Sequence, residues 1–481
     1  MVNRKRTVRW HRLLTIPWLL AGVVSWQAGR SERQGHAGEG LFRDVTDQSG
    51  IDFVHEDGAT GQQFLVEFMG AGVASLDYDL DGLMDVYFCN GHPLQSGEVA
   101  GQSIPGNAMF RNISRSGLAF SRVSAMSRAD VRAYSLGVTA ADYDNDGFPD
   151  LAISNYGKNT LLHNNGDGTF TEVTGTAGID DEQRFSAGIN FADVDGDGDL
   201  DLFIANYVDF TLERHREVAP GAFPYPPGPK DFPHLADSLY VNQGDGTFRN
   251  ASRESGIGLV AGPSMGSIAG DFDRDGDVDL FVCCDGMPNH LFENDGSGRF
   301  VESAFVWGVA LDATGAANGS MGVDAADLNG DGYDDFLVTD YTRQWPMLFL
   351  SLDRGVYEDA ARRTQIGAMV APHVNWTAAL FDVDNDGDLD ALICNGHFLR
   401  QAKQLEPGTD FAVEDVVMID QGGLRFAPGR LSRGGRCNGG ELSRCCVRGF
   451  RFGWRCGRGR PAVWCSGASF GKSSLPLAVV R

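Results

Sequence analysis

A nine-residue acidic pattern, Asp-x-Asp-x-Asp-Gly-x-x-Asp, occurs six times between Asp77 and Asp390 and limits the architectures open to this chain more than any other feature. The copies place side-chain oxygens at Asp77, Asp79, Asp81 and Asp85; at Asp142, Asp144, Asp146 and Asp150; and at Asp193, Asp195, Asp197 and Asp201. The remaining three use Asp271, Asp273, Asp275 and Asp279; Asp327, Asn329, Asp331 and Asp335; and Asp382, Asp384, Asp386 and Asp390. Oxygens at positions 1, 3, 5 and 9 can converge on one hard cation, position 7 can add its carbonyl, and Gly at position 6 permits the tight turn. Calcium is the expected ligand, at up to six sites.

An EF-hand opens in the same way but needs a bidentate Glu at position 12. Here position 12 is Phe88, Ile153, Ile204, Val282, Val338 or Ile393, each within a short β-branched or aromatic run, so the loops join strands rather than helices. Each unit reads as four strands. Strand A enters the loop, B leaves it, C is a Leu/Phe-rich run such as Leu239-Tyr-Val241, and D follows an Asn-x-Gly-Asp-Gly-type turn, as in Thr247 to Ser252. Successive loops lie 65, 51, 78, 56 and 55 residues apart. A four-stranded sheet per period of that length predicts an all-β chain folded as a β-propeller, in which radial packing buries both faces of each sheet.

Seven D-like segments accompany the six loops: Leu41 to Thr46, then Ala119 to Ser124, Thr169 to Thr174, Thr247 to Ser252, Arg299 to Ser303, Val356 to Ala360 and Leu424 to Ala427. The first precedes any A strand, so it is expected to latch onto the last blade. The count implies seven blades, the seventh incomplete in this sequence.

The loops resemble the FG-GAP/VCBS repeats of integrin α-subunits. Ile51-Asp-Phe-Val-His-Glu, Met69-Gly-Ala-Gly-Val, Asn206-Tyr-Val-Asp-Phe210, Met287-Pro-Asn289 and Met321-Gly-Val-Asp324 resemble the cartilage acidic protein family and its bacterial ASPIC/UnbV-type relatives. The resemblance covers about residues 41–428 and implies a calcium-binding propeller. The ASPIC/UnbV domain that usually follows in that family is not recognisable here.

The predicted organisation is an export signal or N-terminal anchor over 1–28, a linker over 29–40, the propeller over 41–428 and an irregular tail over 429–481. Arg4, Lys5, Arg6, Arg9 and Arg12 precede the apolar stretch Leu13 to Val24, the layout of an export signal. An uncleaved anchor is the alternative, and the only membrane contact expected. Export places the protein outside the cell, in a periplasm or at a cell surface. Residues 41–428 hold 22 basic against 62 acidic residues, a charge of −40, which argues against a nucleic-acid partner. The tail has no Asp, one Glu, ten Arg and five of the nine Cys. It reads either as a frameshifted blade seven or as a disordered basic tail.

In a meander the A–B loops and C–D turns share one rim. The long connections Asp47 to Met69, Gly91 to Gly106, Asp209 to Asp237 and Asn395 to Asp415 fall on the other, where recognition by loops on a rigid scaffold is expected. Cys89-Asn-Gly-His92 and Cys394-Asn-Gly-His397 end B strands on that rim. His92 and His397 are either a pair of imidazoles facing a ligand or packed turn residues. Pro220 to Pro229 is a recognition arm or a stiff spacer. Cys89, Cys283, Cys284 and Cys394 read as small buried hydrophobes. No catalytic motif is found, so the expected function is binding or adhesion to a protein or glycan; a propeller-type enzyme, hydrolase or quinoprotein-like, with its site opposite the calcium loops, is the alternative.

Overall fold

The computed structural model describes residues 42–43, 45–94, 104–115, 117–179, 184–218, 226–429 and 431–432. Six four-stranded antiparallel meanders follow one another along the chain. Blade one is Val73–Leu76, Asp85–Phe88, Ala108–Asn112 and Phe120–Arg122. Blade two is Tyr134–Ala141, Asp150–Gly157, Thr160–Asn164 and Phe170–Glu172. Blade three is Arg184–Ala192, Asp201–Asn206, Ser238–Asn242 and Phe248–Asn250. Blade four is Ser264–Gly270, Asp279–Cys284, His290–Asn294 and Phe300–Glu302. Blade five is Val323–Ala326, Asp335–Val338, Met347–Asp353 and Val356–Asp359. Blade six is Asn375–Phe381, Asp390–Asn395, Val416–Asp420 and Phe426–Pro428.

The acidic pattern sets the register of every A–B hairpin. The residue before position 1 pairs with position 9 in all six: Leu76 with Asp85, Ala141 with Asp150, Ala192 with Asp201, Gly270 with Asp279, Ala326 with Asp335, and Phe381 with Asp390. A register slip of one residue would move the alternating apolar side chains to the wrong face.

The sheets pack face to face. Tyr87 and Met109 of blade one meet Leu151 and Ile153 of blade two in one apolar cluster. Phe203 and Leu239 of blade three meet Leu280 and Phe292 of blade four in another. Each A strand lies beside the A strand of the next blade, and glycine makes that approach possible. A Cβ on Gly188 would lie 2.3 Å from the Met265 carbonyl oxygen, on Gly266 2.5 Å from that of Met321, and on Gly322 2.4 Å from that of Trp376. Backbones this close exclude any side chain. First strands that converge in this way while the sheets fan outward are the geometry of a β-propeller.

The insertions opposite the acidic loops do more than decorate the surface. Phe64, Leu65, Val66 and Met69, from the segment between Asp47 and Met69, join Phe210 and Phe232 of the 209–237 insertion in one buried cluster. Tyr134, Phe185, Met265, Met321 and Val374, from the A-strand starts of blades two to five and just before that of blade six, complete it. Only the axis is shared by so many blades, so this cluster plugs the centre. The Pro-rich stretch lies largely outside the described residues.

The first D-like segment, expected to latch onto the last blade, reaches the chain just beyond blade six. Phe42–Arg43 pairs in parallel with Leu431–Ser432. A neighbour supplied by strands A to C of a seventh blade would have to follow Ser432, and that part of the chain, like the segment expected to be an N-terminal signal or anchor, lies outside the described residues. Blades six and one nevertheless meet through their insertions, with Arg400 Nη2 2.7 Å from Asp57 Oδ2 and the Phe68 and Phe398 rings 5.3 Å apart.

Candidate metal centres in the hairpin loops

Every loop is held open by its own carboxylates. Position 1 accepts N–H bonds from positions 5 and 6, as Asp142 Oδ1 does from Asp146 at 3.0 Å and Oδ2 from Gly147 at 2.9 Å. Position 5 accepts from position 7, as Asp146 does from Phe148. Position 6 is a left-handed glycine throughout, with φ between 83° at Gly82 and 100° at Gly276. Position 4 is left-handed too, and in four loops it is not glycine: Leu80, Asn145, Arg274 and Asn385. Leucine and arginine rarely adopt this conformation, so the loops hold strain there.

Position 9 ties the loop to the sheet. Asp201 Oδ2 accepts from the Val194 N–H and Oδ1 from the Asn242 N–H, and Asp85, Asp150, Asp279, Asp335 and Asp390 repeat the pair of bonds. Burial, opposed by these bonds and reinforced by neighbouring loop carboxylates, raises Asp85 and Asp150 to about 8, Asp201, Asp279 and Asp335 to about 7, and Asp390 to about 6.

Position 3 carries the decisive atom. Asp79, Asp144 and Asp195 each bury one Oδ1 with no hydrogen-bond partner. Their acidity is weakened by burial and then by the adjacent position-5 carboxylate. Carboxylate oxygens of Asp77, Asp79 and Asp85, of Asp142, Asp144 and Asp150, of Asp193, Asp195 and Asp197, and of Asp271, Asp273 and Asp275 lie within 4.8 Å of one another in each set. A desolvated anionic oxygen is costly unless a cation or donor meets it. An all-oxygen set around it suits calcium.

Three loops also carry a basic side chain across positions 3 and 5. Arg111, on strand C of blade one, places Nε 2.5 Å from Asp79 and Nη2 3.0 Å from Asp81. Arg354, from the C–D hairpin of blade five, places Nε 3.0 Å from Asp273 and Nη2 3.0 Å from Asp275 in blade four. His163 Nδ1 lies 3.1 Å from Asp144, and its Nε2 4.0 Å from Asp146.

Reading the sequence missed a second network. The strand-C asparagines Asn112, Asn164, Asn242 and Asn294, taken as turn residues, donate from Nδ2 to the carbonyl at position 8 of their own loop. The last three also reach the position-2 carbonyl of the preceding blade: Asn164 to Tyr78 at 2.9 Å, Asn242 to Tyr143 at 2.8 Å and Asn294 to Val194 at 2.7 Å. In blade five Ser351 stands at this place, and Tyr357 Oη donates instead to Phe272 and Asp334, the corresponding carbonyls. The signal was the Asn that ends strand C in four of the six blades, ahead of the C–D turn.

The two rim histidines keep separate neighbourhoods. His92 packs its ring 5.6 Å from Tyr134, with Nδ1 3.2 Å from the Pro93 carbonyl. His397 is fully buried, its Nδ1 accepting from the Leu399 N–H and its Nε2 3.5 Å from Glu406. Burial lowers the basicity of His397, and Glu406 partly restores it. Cys89, Cys283 and Cys284 are buried free thiols, and Cys394 is half-buried.

The FG-GAP-like repeat family matches residues 142–204, 234–282 and 271–338. Cartilage acidic protein 1 of Homo sapiens is 26% identical over 251 residues, which are 45% of this chain and 38% of that protein. Its Xenopus tropicalis counterpart is 27% identical over 216 residues, 44% of this chain and 29% of that one. The chain thus spans less than two fifths of the length of these curated relatives. An Agrocybe aegerita lectin, described for specific recognition of non-reducing terminal N-acetylglucosamine, aligns over 75% of this chain and 80% of its own at 16% identity, with a TM-score of 0.40. The chain thus carries FG-GAP-like repeats within residues 142–338 and is similar in sequence to cartilage acidic protein 1.

Proposed function

We propose that this protein is an exported, calcium-stabilised propeller that binds a protein or glycan partner through the rim opposite its metal loops. The observation that carries the calcium reading is the buried, unpartnered Oδ1 at position 3, repeated at Asp79, Asp144 and Asp195. Calcium would supply the missing charge. The chain's own residues hold the loop shape through backbone N–H bonds, so the ion meets a preformed ring of oxygens.

The binding reading is supported by the other rim. Its axis is filled by packed apolar side chains from Phe64 to Val374, with titratable groups at the edge of the plug that are tied to it, as Asp285 is by accepting from Tyr207 Oη and His215 by packing its ring on Phe64. Recognition then falls to the segments surrounding the plug. Because Phe210 and Phe232 belong to that plug, the 209–237 insertion cannot be trimmed without damage to the core, and its role is better tested at exposed charges such as Glu213 and Arg216. No helix among the described residues is long and apolar enough to cross a membrane.

Thermal unfolding of the full chain in calcium and in excess chelator tests the metal reading. A melting temperature lower by several degrees in chelator is expected, since an ion that binds only the folded state stabilises it by about 2.7 kcal/mol at a hundredfold excess over Kd. Equal melting temperatures would refute it. A screen of the calcium-loaded protein against matrix glycans and envelope proteins, repeated with Glu213→Lys, tests the rim.

A further inference from the structure

The six loops share one backbone but not one charge balance. Calcium must engage the carboxylates at positions 3 and 5 together. In loops one and four those two groups are already clamped by a guanidinium, Arg111 on Asp79 and Asp81, and Arg354 on Asp273 and Asp275. The arginines come from different elements, strand C of the same blade in one case and the hairpin of the next blade in the other, yet each presents Nε to position 3 and Nη2 to position 5. A bidentate, charge-assisted fork is the strongest protein substitute for a cation at a pair of carboxylates.

Loops three and five differ. The strand-C residue corresponding to Arg111 is Val241 in blade three and Leu350 in blade five. Among the described residues no basic side chain pairs with Asp195 and Asp197, or with Asn329 and Asp331. Asp195 buries an unpartnered oxygen as Asp79 does, but without a guanidinium on its other oxygen.

We infer that Arg111 and Arg354 are built-in counter-cations that close loops one and four to calcium at low concentration, while loop three loads first; loop five, with the Arg274 guanidinium over Tyr333 and beside Gly332, does not share its freedom. The inference rests on the calcium reading and adds a rank order to it. Its physical content is that an entering ion must displace a bidentate arginine in loops one and four and no such clamp in loop three. With the arginine gone, a neighbouring unit charge no longer opposes a divalent ion, which corresponds to about tenfold tighter binding in that loop.

The experiment counts ions. The full chain is stripped of metal and equilibrated at a series of free calcium concentrations, and bound ions are counted by native mass spectrometry with calorimetry alongside. Arg111→Gln and Arg354→Gln are each expected to hold one more ion than the wild type at subsaturating calcium, and the double variant two more. Should either variant fold poorly by circular dichroism, the carboxylates give the same answer in the opposite direction. Asp195→Ala, which removes the position-3 oxygen altogether, should lower the tight-binding count by one, and Asp79→Ala should leave it unchanged. A wild type that fills all six loops together, with the arginine variants unchanged, overturns the rank order and leaves calcium binding intact. A wild type and variants that take no calcium at all overturn both.

Discussion

The strand-C asparagine predicts a cost that can be worked from its bonds. Asn242 is 3% exposed and donates from Nδ2 to Tyr143 O at 2.8 Å and Leu200 O at 3.0 Å, while its Oδ1 accepts from the Gly244 N–H at 3.1 Å. Asn242→Ala strips one donor from two carbonyls and the acceptor from one turn N–H. A buried polar group left unsatisfied costs about 1–3 kcal/mol, and the turn N–H is near enough to solvent to find water, so a total loss of about 2–4 kcal/mol is expected. Blade five supplies the control. There Tyr357 Oη makes the two equivalent bonds, at 3.3 Å to Phe272 O and 3.1 Å to Asp334 O, while Ser351 occupies the asparagine position. Tyr357→Phe should therefore cost about 1–2 kcal/mol, and Ser351→Ala under about 1 kcal/mol. Urea unfolding at saturating calcium reads all three, provided the m-values agree. A loss below about 0.5 kcal/mol for Asn242→Ala, or a larger loss for Ser351→Ala than for Tyr357→Phe, would refute the idea that these donors tie neighbouring blades.

Two further outcomes are expected. In the ion-stripped protein the position-9 carboxylates have folded pKa values of about 6 to 8, above the ordinary 3.8, so their protonated form favours the folded state; stability should be greatest near pH 5 and fall as pH rises to 8.5, and saturating calcium should abolish the slope. An ion-stripped protein as stable to urea at pH 8.5 as at pH 5 would contradict this. Gly188→Val should destabilise by about 2 kcal/mol or more, because its Cβ would lie 2.3 Å from the Met265 carbonyl oxygen; an unchanged unfolding midpoint would show that the A strands are not so closely packed.

The loops and the four-strand unit were legible because both rest on local chemistry. Oxygens at fixed spacing, a glycine at position 6 and apolar runs on either side leave one reading, and the register of all six hairpins follows it. What stayed hidden was long-range or ambiguous. Arg354 lies 79 residues beyond Asp275, so no local pattern joins them. Asn242 satisfies a turn and an interface at once, and only the turn has a sequence signature. Leu80 and Arg274 are not residues one would place at positive φ, yet the loop geometry imposes it on them. The insertions were read as surface because connections usually are. Phe64, Phe210 and Phe232 turn inward because a propeller axis has to be filled, and the short A strands, lined by glycine where they meet, cannot fill it alone.

The two networks meet at position 2 of the first four loops. The Tyr143 N–H binds Asp150, a metal-loop carboxylate, while the Tyr143 carbonyl accepts from Asn242 of the next blade. Val194 joins Asp201 to Asn294 in the same manner, and Phe272 joins Asp279 to Tyr357. One peptide segment thus senses the loop on one side and the neighbouring blade on the other. Fixing Asp150 or Asp201 on an ion restrains that segment and presents its carbonyl to the donor across the interface. The stabilisation from a bound cation is delivered to the contact between blades as much as to the loop that holds it. Blade six lacks the device, since Asp420 has no hydrogen to donate and turns its oxygens to the N–H groups of Gly422, Leu424 and Arg425 in its own hairpin. Between blades five and six the interface relies instead on Asp324, whose buried carboxylate accepts the Leu380 N–H at 2.7 Å. Because that carboxylate lies on strand A rather than in a loop, the polar tie at this interface does not pass through a metal loop.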